Sequence, residues 1–139
     1  MNIFSNKIFL YTINLKKNRD RLDYLNLQIT KLKKYIQIEV IYIDGYDNIK
    51  SRMNAINYIS YENYINISKQ TLNKNMIYTW GELGKFISHI NCWEHMINND
   101  IEYAFIIQDN VDIDDFLKLS YKIVNASQII KKITNKDNN

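Results

Sequence analysis

The chain predicts an open α/β domain of Rossmann type, a sheet with helices packed on it, and three observations lead there. Ile8–Leu15, Ile38–Ile43 and Tyr103–Ile107 are short runs dense in apolar residues. Stretches between them carry apolar residues at helical spacing. Each run ends in polar or small residues: Asn14, Asp44-Gly45, and Gln108-Asp109-Asn110. An almost wholly apolar run is the mark of a strand covered on both faces, and its alternation with helices points to β-α-β units. In open sheets of this kind ligands bind in the crevice at the carboxyl ends of the strands.

The elements follow in order. Ile8-Phe-Leu-Tyr-Thr-Ile-Asn-Leu15 reads as a buried strand, and Asn18 is placed to cap a helix carrying Leu22, Leu25, Ile29 and Leu32 at helical spacing. Ile38–Ile43 makes a second strand, closed by Asp44 and by Gly45, which brings no Cβ into a tight turn. Residues 46–78 mix Tyr, Asn and Ile in a pattern that fits neither period, so irregular structure with one short helix is expected. Thr79 then caps a long helix, with Glu82 reaching back to the cap's own N–H. Leu83, Phe86, Ile87, Ile90, Trp93 and Ile97 would form its apolar face, with Trp93 in the core. Beyond Asp115 the spacing of Phe116, Leu119, Ile123, Ile129 and Ile130 predicts another helix, and 131–139 a polar, frayed end.

Composition bounds the function. A chain of 139 residues with 46% hydrophobic content is expected to be one folded domain. Asn, Ile, Lys and Tyr make up about half of it, spread throughout as AT-rich coding would spread them, so single Asn and Lys residues carry little information. A net charge of +3 from 18 basic and 15 acidic residues, with no concentrated basic face, argues against a nucleic-acid partner. The lone Cys92 excludes an intrachain disulfide. No stretch is long enough to span a bilayer and the amino terminus lacks the pattern of a signal peptide, so a cytoplasmic location is expected.

The stretch Thr79–Asp115 resembles glycosyltransferase family 25, the lipopolysaccharide and collagen galactosyltransferase-like group. Its pattern is a G-E-I-G-x-x-L-S-H-x-x-x-W helix followed by a strand and E-D-D-V. Gly81-Glu82-Leu83-Gly84, Ser88-His89, Trp93, Asp109 and Val111 match it. The group also begins with I-N-L and an arginine, matched by Asn14, Leu15 and Arg21, and has a V-D-G matched at Asp44-Gly45. The resemblance covers about residues 7–118 and implies a GT-A-like, nucleotide-sugar-binding sheet, incomplete here. It sets out a domain at 1–118 and a helical tail at 119–139.

The resemblance implies transfer of a hexose such as galactose from a UDP-sugar to a glycan or a hydroxylated protein acceptor. It places Asn14, Arg21, Asp44, Gly45, Ser88 and His89 at the nucleotide sugar, and a Mn or Mg ion at Asp109 and Asn110. Such an ion would stabilise the charge on the leaving diphosphate. Where the family has Glu-Asp-Asp, this chain has Gln108-Asp109-Asn110, which lacks two formal charges and weakens the cation site. Asp112, Asp114 and Asp115 stand close enough in sequence to compensate, and Asp112 or Asp114 is the local candidate for the general base that inversion needs. Three readings therefore stay open: a transferase, a truncated or degenerate relative serving as a nucleotide-binding or interaction module, with a partner chain supplying the missing half, and a structural α/β protein. Bland readings stand beside the residue roles: a solvated turn for 108–110, a solvated helix face for Arg21, and a backbone-bonded core histidine for His89. His89, Cys92 and His95 drift around a helix too far to converge on zinc.

Overall fold

The first strand in sequence becomes the middle strand of the sheet because both of its faces are apolar and both are covered. In the computed structural model, which describes residues 7–34, 36–69, 79–110 and 125, β1 (Ile8–Asn14) lies between β2 (Ile38–Asp44) and β3 (Phe105–Gln108). Both pairings are parallel, with Asn14 opposite Asp44 on one side and Ile13 opposite Gln108 on the other. The α/β class and the three strands are as the sequence predicts. The third strand begins at Phe105 instead of Tyr103 and takes in Gln108.

Helix α1 (Arg19–Leu32) covers one face through Leu25, Ile29 and Leu32, which join Ile8 and Leu10 of β1. Asn18 holds the cap position, yet its side chain makes no capping bond. The opposite face presents Tyr11 and Ile13 to Cys92 and Met96 of α4 (Trp80–Asn98). Helices on both faces and β1 flanked on both sides put the point where the chain reverses direction across the sheet at the end of β1, the place where open α/β sheets bind ligands.

Residues 46–69 are more regular than their composition suggests. They form α2 (Asn48–Asn54), a 3-10 turn at Ala55–Asn57 and α3 (Tyr61–Ser68). Asp47 and Ser60 start the two helices, each side chain accepting from the backbone N–H three residues on. Helices of seven and eight residues are too short to display a period, so their caps are the legible signal.

Helix α4 begins with the expected capping box. Thr79 Oγ1 accepts from the Glu82 N–H at 3.1 Å, and Glu82 accepts from the Thr79 N–H at 3.1 Å. Its buried face differs from the expected one. Leu83, Gly84, Ile87, Ser88 and Cys92 are buried, while Phe86, Trp93 and Ile97 are 41%, 48% and 75% exposed. Trp93 is therefore a surface residue whose ring stands edge-on to His89. The sheet and α2 approach α4 along a stripe that includes small residues, and this rotates the large ones outward. No helix among the described residues is long and apolar enough to cross a membrane.

Candidate functional site

A cleft of about 480 Å³ opens at the carboxyl ends of the strands, within the size range of small-molecule sites. Ile13 and Leu15 come from β1 and the residue following it, Lys17 from the next turn, and Arg21 from the first turn of α1. Gly45 to Ile49 supply a second wall, Gly81, Lys85 and Ser88 of α4 a third, and Gln108, Asp109 and Asn110 the floor at the end of β3. Polar and charged groups from five segments thus converge where the topology alone places a ligand.

Asp109 is the most enclosed charged group there, its side chain 10% exposed. Its backbone N–H donates to the Ile13 carbonyl at 3.0 Å, which extends the β1–β3 ladder by one step and fixes its position. Asn14 Nδ2 donates to Asp109 Oδ2 at 2.8 Å, and its longer bond to the Asn18 carbonyl, 3.4 Å, ties the same amide to the start of α1. Arg21 Nη1 lies 3.9 Å from Asp109 Oδ1, with 59% of its side chain exposed toward the cleft mouth. Asn14 and Arg21 are far apart in sequence from Asp109, and the fold brings all three together.

The second wall is a loop fastened to α4. Gly84 has no room for a side chain, since a Cβ there would overlap the Tyr46 carbonyl oxygen and Ser51 Oγ. One turn later Ser88, 1% exposed, accepts from the Tyr46 N–H at 3.1 Å and donates to the Gly84 carbonyl at 2.7 Å. The G-x-x-x-S spacing is thus a seat: the glycine lets the loop approach and the serine satisfies the loop's buried N–H. Gly45 completes it at the other end, where its N–H donates to the Asn14 carbonyl at 2.8 Å and a Cβ would crowd Leu15 and the Asn14 backbone. No tight turn forms at Gly45, whose N–H continues the β1–β2 pairing by one bond, and close approach is what requires the glycine.

Asp44 does not line the cleft. It pairs with Lys16 at 2.9 Å and Lys50 at 3.5 Å. Asp47 faces the cleft beside Lys17, 3.7 Å away. The Lys50 N–H that donates to its carboxylate holds its pKa below the ordinary value, so it stays charged there. His89 also lies off the cleft lining, its Nδ1–H donating to the Lys85 carbonyl at 2.8 Å. The backbone-bonded reading is the one the geometry carries, on a half-buried helix position instead of a core one. His95 hydrogen-bonds Tyr11 Oη at 2.8 Å on the sheet side of the helix.

Lys17, Tyr46, Asp47 and Lys85 were not identified as site residues from the sequence. Asp47 was signalled by its position before a helix, whereas single lysines in a Lys-rich chain carry no signal. Asp112 and Asp114 lie outside the described residues, as do Asp115, all of the helix expected after it except the helical Asn125, and the end at 131–139.

The donors present decide what a cation would meet. Among the described residues no three of His, Cys, Asp and Glu are grouped so as to hold a metal. The strand end offers one carboxylate, Asp109, with Asn14 on one oxygen and Arg21 near the other, flanked by the amides of Gln108 and Asn110. Mg and Mn take hard oxygen ligands, carboxylates foremost, and the one carboxylate here is already engaged by Asn14 and Arg21, so these described residues fit a divalent ion poorly.

Comparison with known proteins agrees with the geometry. The model of Glycosyltransferase family 25 (LPS biosynthesis protein) matches residues 7–139. Procollagen galactosyltransferase 2 of Homo sapiens is 28% identical over 111 residues, which are 78% of this chain and 16% of the relative. The protein of the same name from Mus musculus matches to the same extent. The chain thus corresponds to a small part of the length of these relatives.

Proposed function

The chain belongs to glycosyltransferase family 25, and from that premise we propose that its cleft binds the diphosphate of a UDP-sugar for transfer of a hexose such as galactose to a glycan or hydroxylated protein acceptor. One observation carries this reading: Lys17, Arg21 and Lys85 converge on a cleft at the ends of β1 and β3. In glycosyl transfer the bond from the sugar's anomeric carbon to the diphosphate breaks as the acceptor oxygen bonds that carbon. Cationic groups already in place at the departing phosphate favour that step, because they need not reorganise as its charge develops. The guanidinium of Arg21 suits two phosphate oxygens at once. Tyr46 and Ile49 offer the less polar wall that a nucleoside would occupy. In this reading the fold is of the GT-A kind, the base that takes the acceptor's proton is Asp112 or Asp114, and the acceptor is held by elements beyond the described cleft, such as a partner chain.

Gln108 and Asn110 favour a second reading, a nucleotide-binding module without turnover, because the family motif has carboxylates at those positions. Titration calorimetry with UDP, followed by assay of UDP release from UDP-galactose, separates the two. Heat together with release supports the transferase. Heat without release supports the module. Absence of heat both with and without Mn removes both readings.

A further inference from the structure

We infer that this cleft takes the diphosphate without a divalent cation, with Arg21, Lys17 and Lys85 neutralising the charge that a metal would otherwise neutralise; the inference rests on the nucleotide reading above. Two carboxylates are among the described residues that line the cleft, and both stand beside side-chain cations. Asp109 has Arg21 at 3.9 Å and Asp47 has Lys17 at 3.7 Å. These acids act as counter-ions that hold the two cations at the rim until an anion arrives. Lys85, on the second turn of α4, forms no ion pair among the described residues and faces the same space. Three cationic side chains against two anionic ones leave the cleft's described lining positive, which suits a diphosphate.

A metal at Asp109 would meet the opposite arrangement. It would have to displace the Asn14 amide from Oδ2 or stand next to the guanidinium near Oδ1, with amides on either side of Asp109. A like charge that close opposes cation binding. The same guanidinium favours a phosphate, whose oxygens accept its parallel N–H donors. Asp109 is thereby a positioning residue: Asn14 orients the carboxylate and the carboxylate orients Arg21.

The test is calorimetric titration of UDP into the full chain, once in EDTA and once in excess Mn, for the parent and for Arg21→Gln, Arg21→Lys and Asp109→Asn. Thermal melts of each variant identify any that fails to fold. The parent is expected to bind UDP equally in both conditions. Arg21→Gln should weaken binding in EDTA about tenfold, the scale of a lost charge-assisted hydrogen bond, and Arg21→Lys should recover part of it. Asp109→Asn keeps an acceptor for Arg21 and removes a negative charge, so binding in EDTA should hold or tighten. Heat that appears only with Mn overturns the inference and leaves the nucleotide reading standing. Absence of heat in both conditions overturns the nucleotide reading and the inference together.

Discussion

The two halves of the Thr79–Asn110 stretch resemble the same family motif and serve different ends. In the first half the groups that build the wall are engaged within the protein: Thr79 and Glu82 by each other, Gly84 by the Tyr46 carbonyl, and Ser88 by the Tyr46 N–H. In the second half Gln108, Asp109 and Asn110 line the cleft. The contrast teaches that a motif recognisable as a unit need not bind as a unit. One part builds the wall, and the other faces what the wall encloses.

Substitutions in the first half should therefore reduce stability, and those in the second should alter binding. The largest effect is expected at Gly84→Ala, where the new Cβ forces the loop off the helix and lowers unfolding free energy by about 2–3 kcal/mol in urea denaturation. A loss near zero would show that the loop is not seated there. Ser88→Ala leaves the Tyr46 N–H unpaired and should lower stability by about 1–2 kcal/mol. Converting Gln108→Glu and Asn110→Asp together should shift stability by no more than about 0.5 kcal/mol. The double variant should weaken UDP binding in EDTA about tenfold, near 1.4 kcal/mol, and Mn should restore it. Comparable loss of stability and binding would erase the distinction between the halves. Thr79→Ala removes one cap bond, and its melt should fall by the equivalent of about 1 kcal/mol.

The last test concerns pH and the core beneath the wall. Burial pushes the Cys92 thiol up from 9.0 to about 11 and Tyr11 above its ordinary 10.0. Both groups are neutral when protonated, so the unfolded chain loses these protons at lower pH than the folded one. Stability is full below pH 9 and declines as pH rises toward 11. Denaturation midpoints measured from pH 8 to 11 should show the decline, and Cys92→Ala should remove the part that sets in below pH 10.

Signals that are local and dense are legible in the sequence. Strands of seven residues such as Ile8–Asn14 announce themselves by composition, and the Thr79–Glu82 box by spacing. Leu83 and Ile87 are buried as their spacing predicts, but the rest of α4's buried face is illegible because Gly84, Ser88 and Cys92 carry little hydrophobic signal, yet they are what a close approach demands. Phe86, Trp93 and Ile97 dominated the apolar pattern and point outward. Of the residues the resemblance points to, Arg21, Gly45, Ser88, Asp109 and Asn110 line the cleft and Asn14 stands off its lining on the Asp109 carboxylate, although Ser88 serves the loop. Lys17 and Lys85 were not legible, since convergence of residues from separate elements is a property of the fold and leaves no mark on any one segment.

The placement of β1 has a consequence for how the molecule is made. Leu10 pairs with Phe105, so the most buried strand is made before the other two and receives its second neighbour only after most of the cleft's described residues have been synthesised. At ordinary elongation rates that interval is roughly 5–20 s. Until α4 is made, Tyr11 and Ile13 lack the cover that it later provides. The cleft is consequently among the last features of the described structure to form, closing only when Asp109 reaches Asn14.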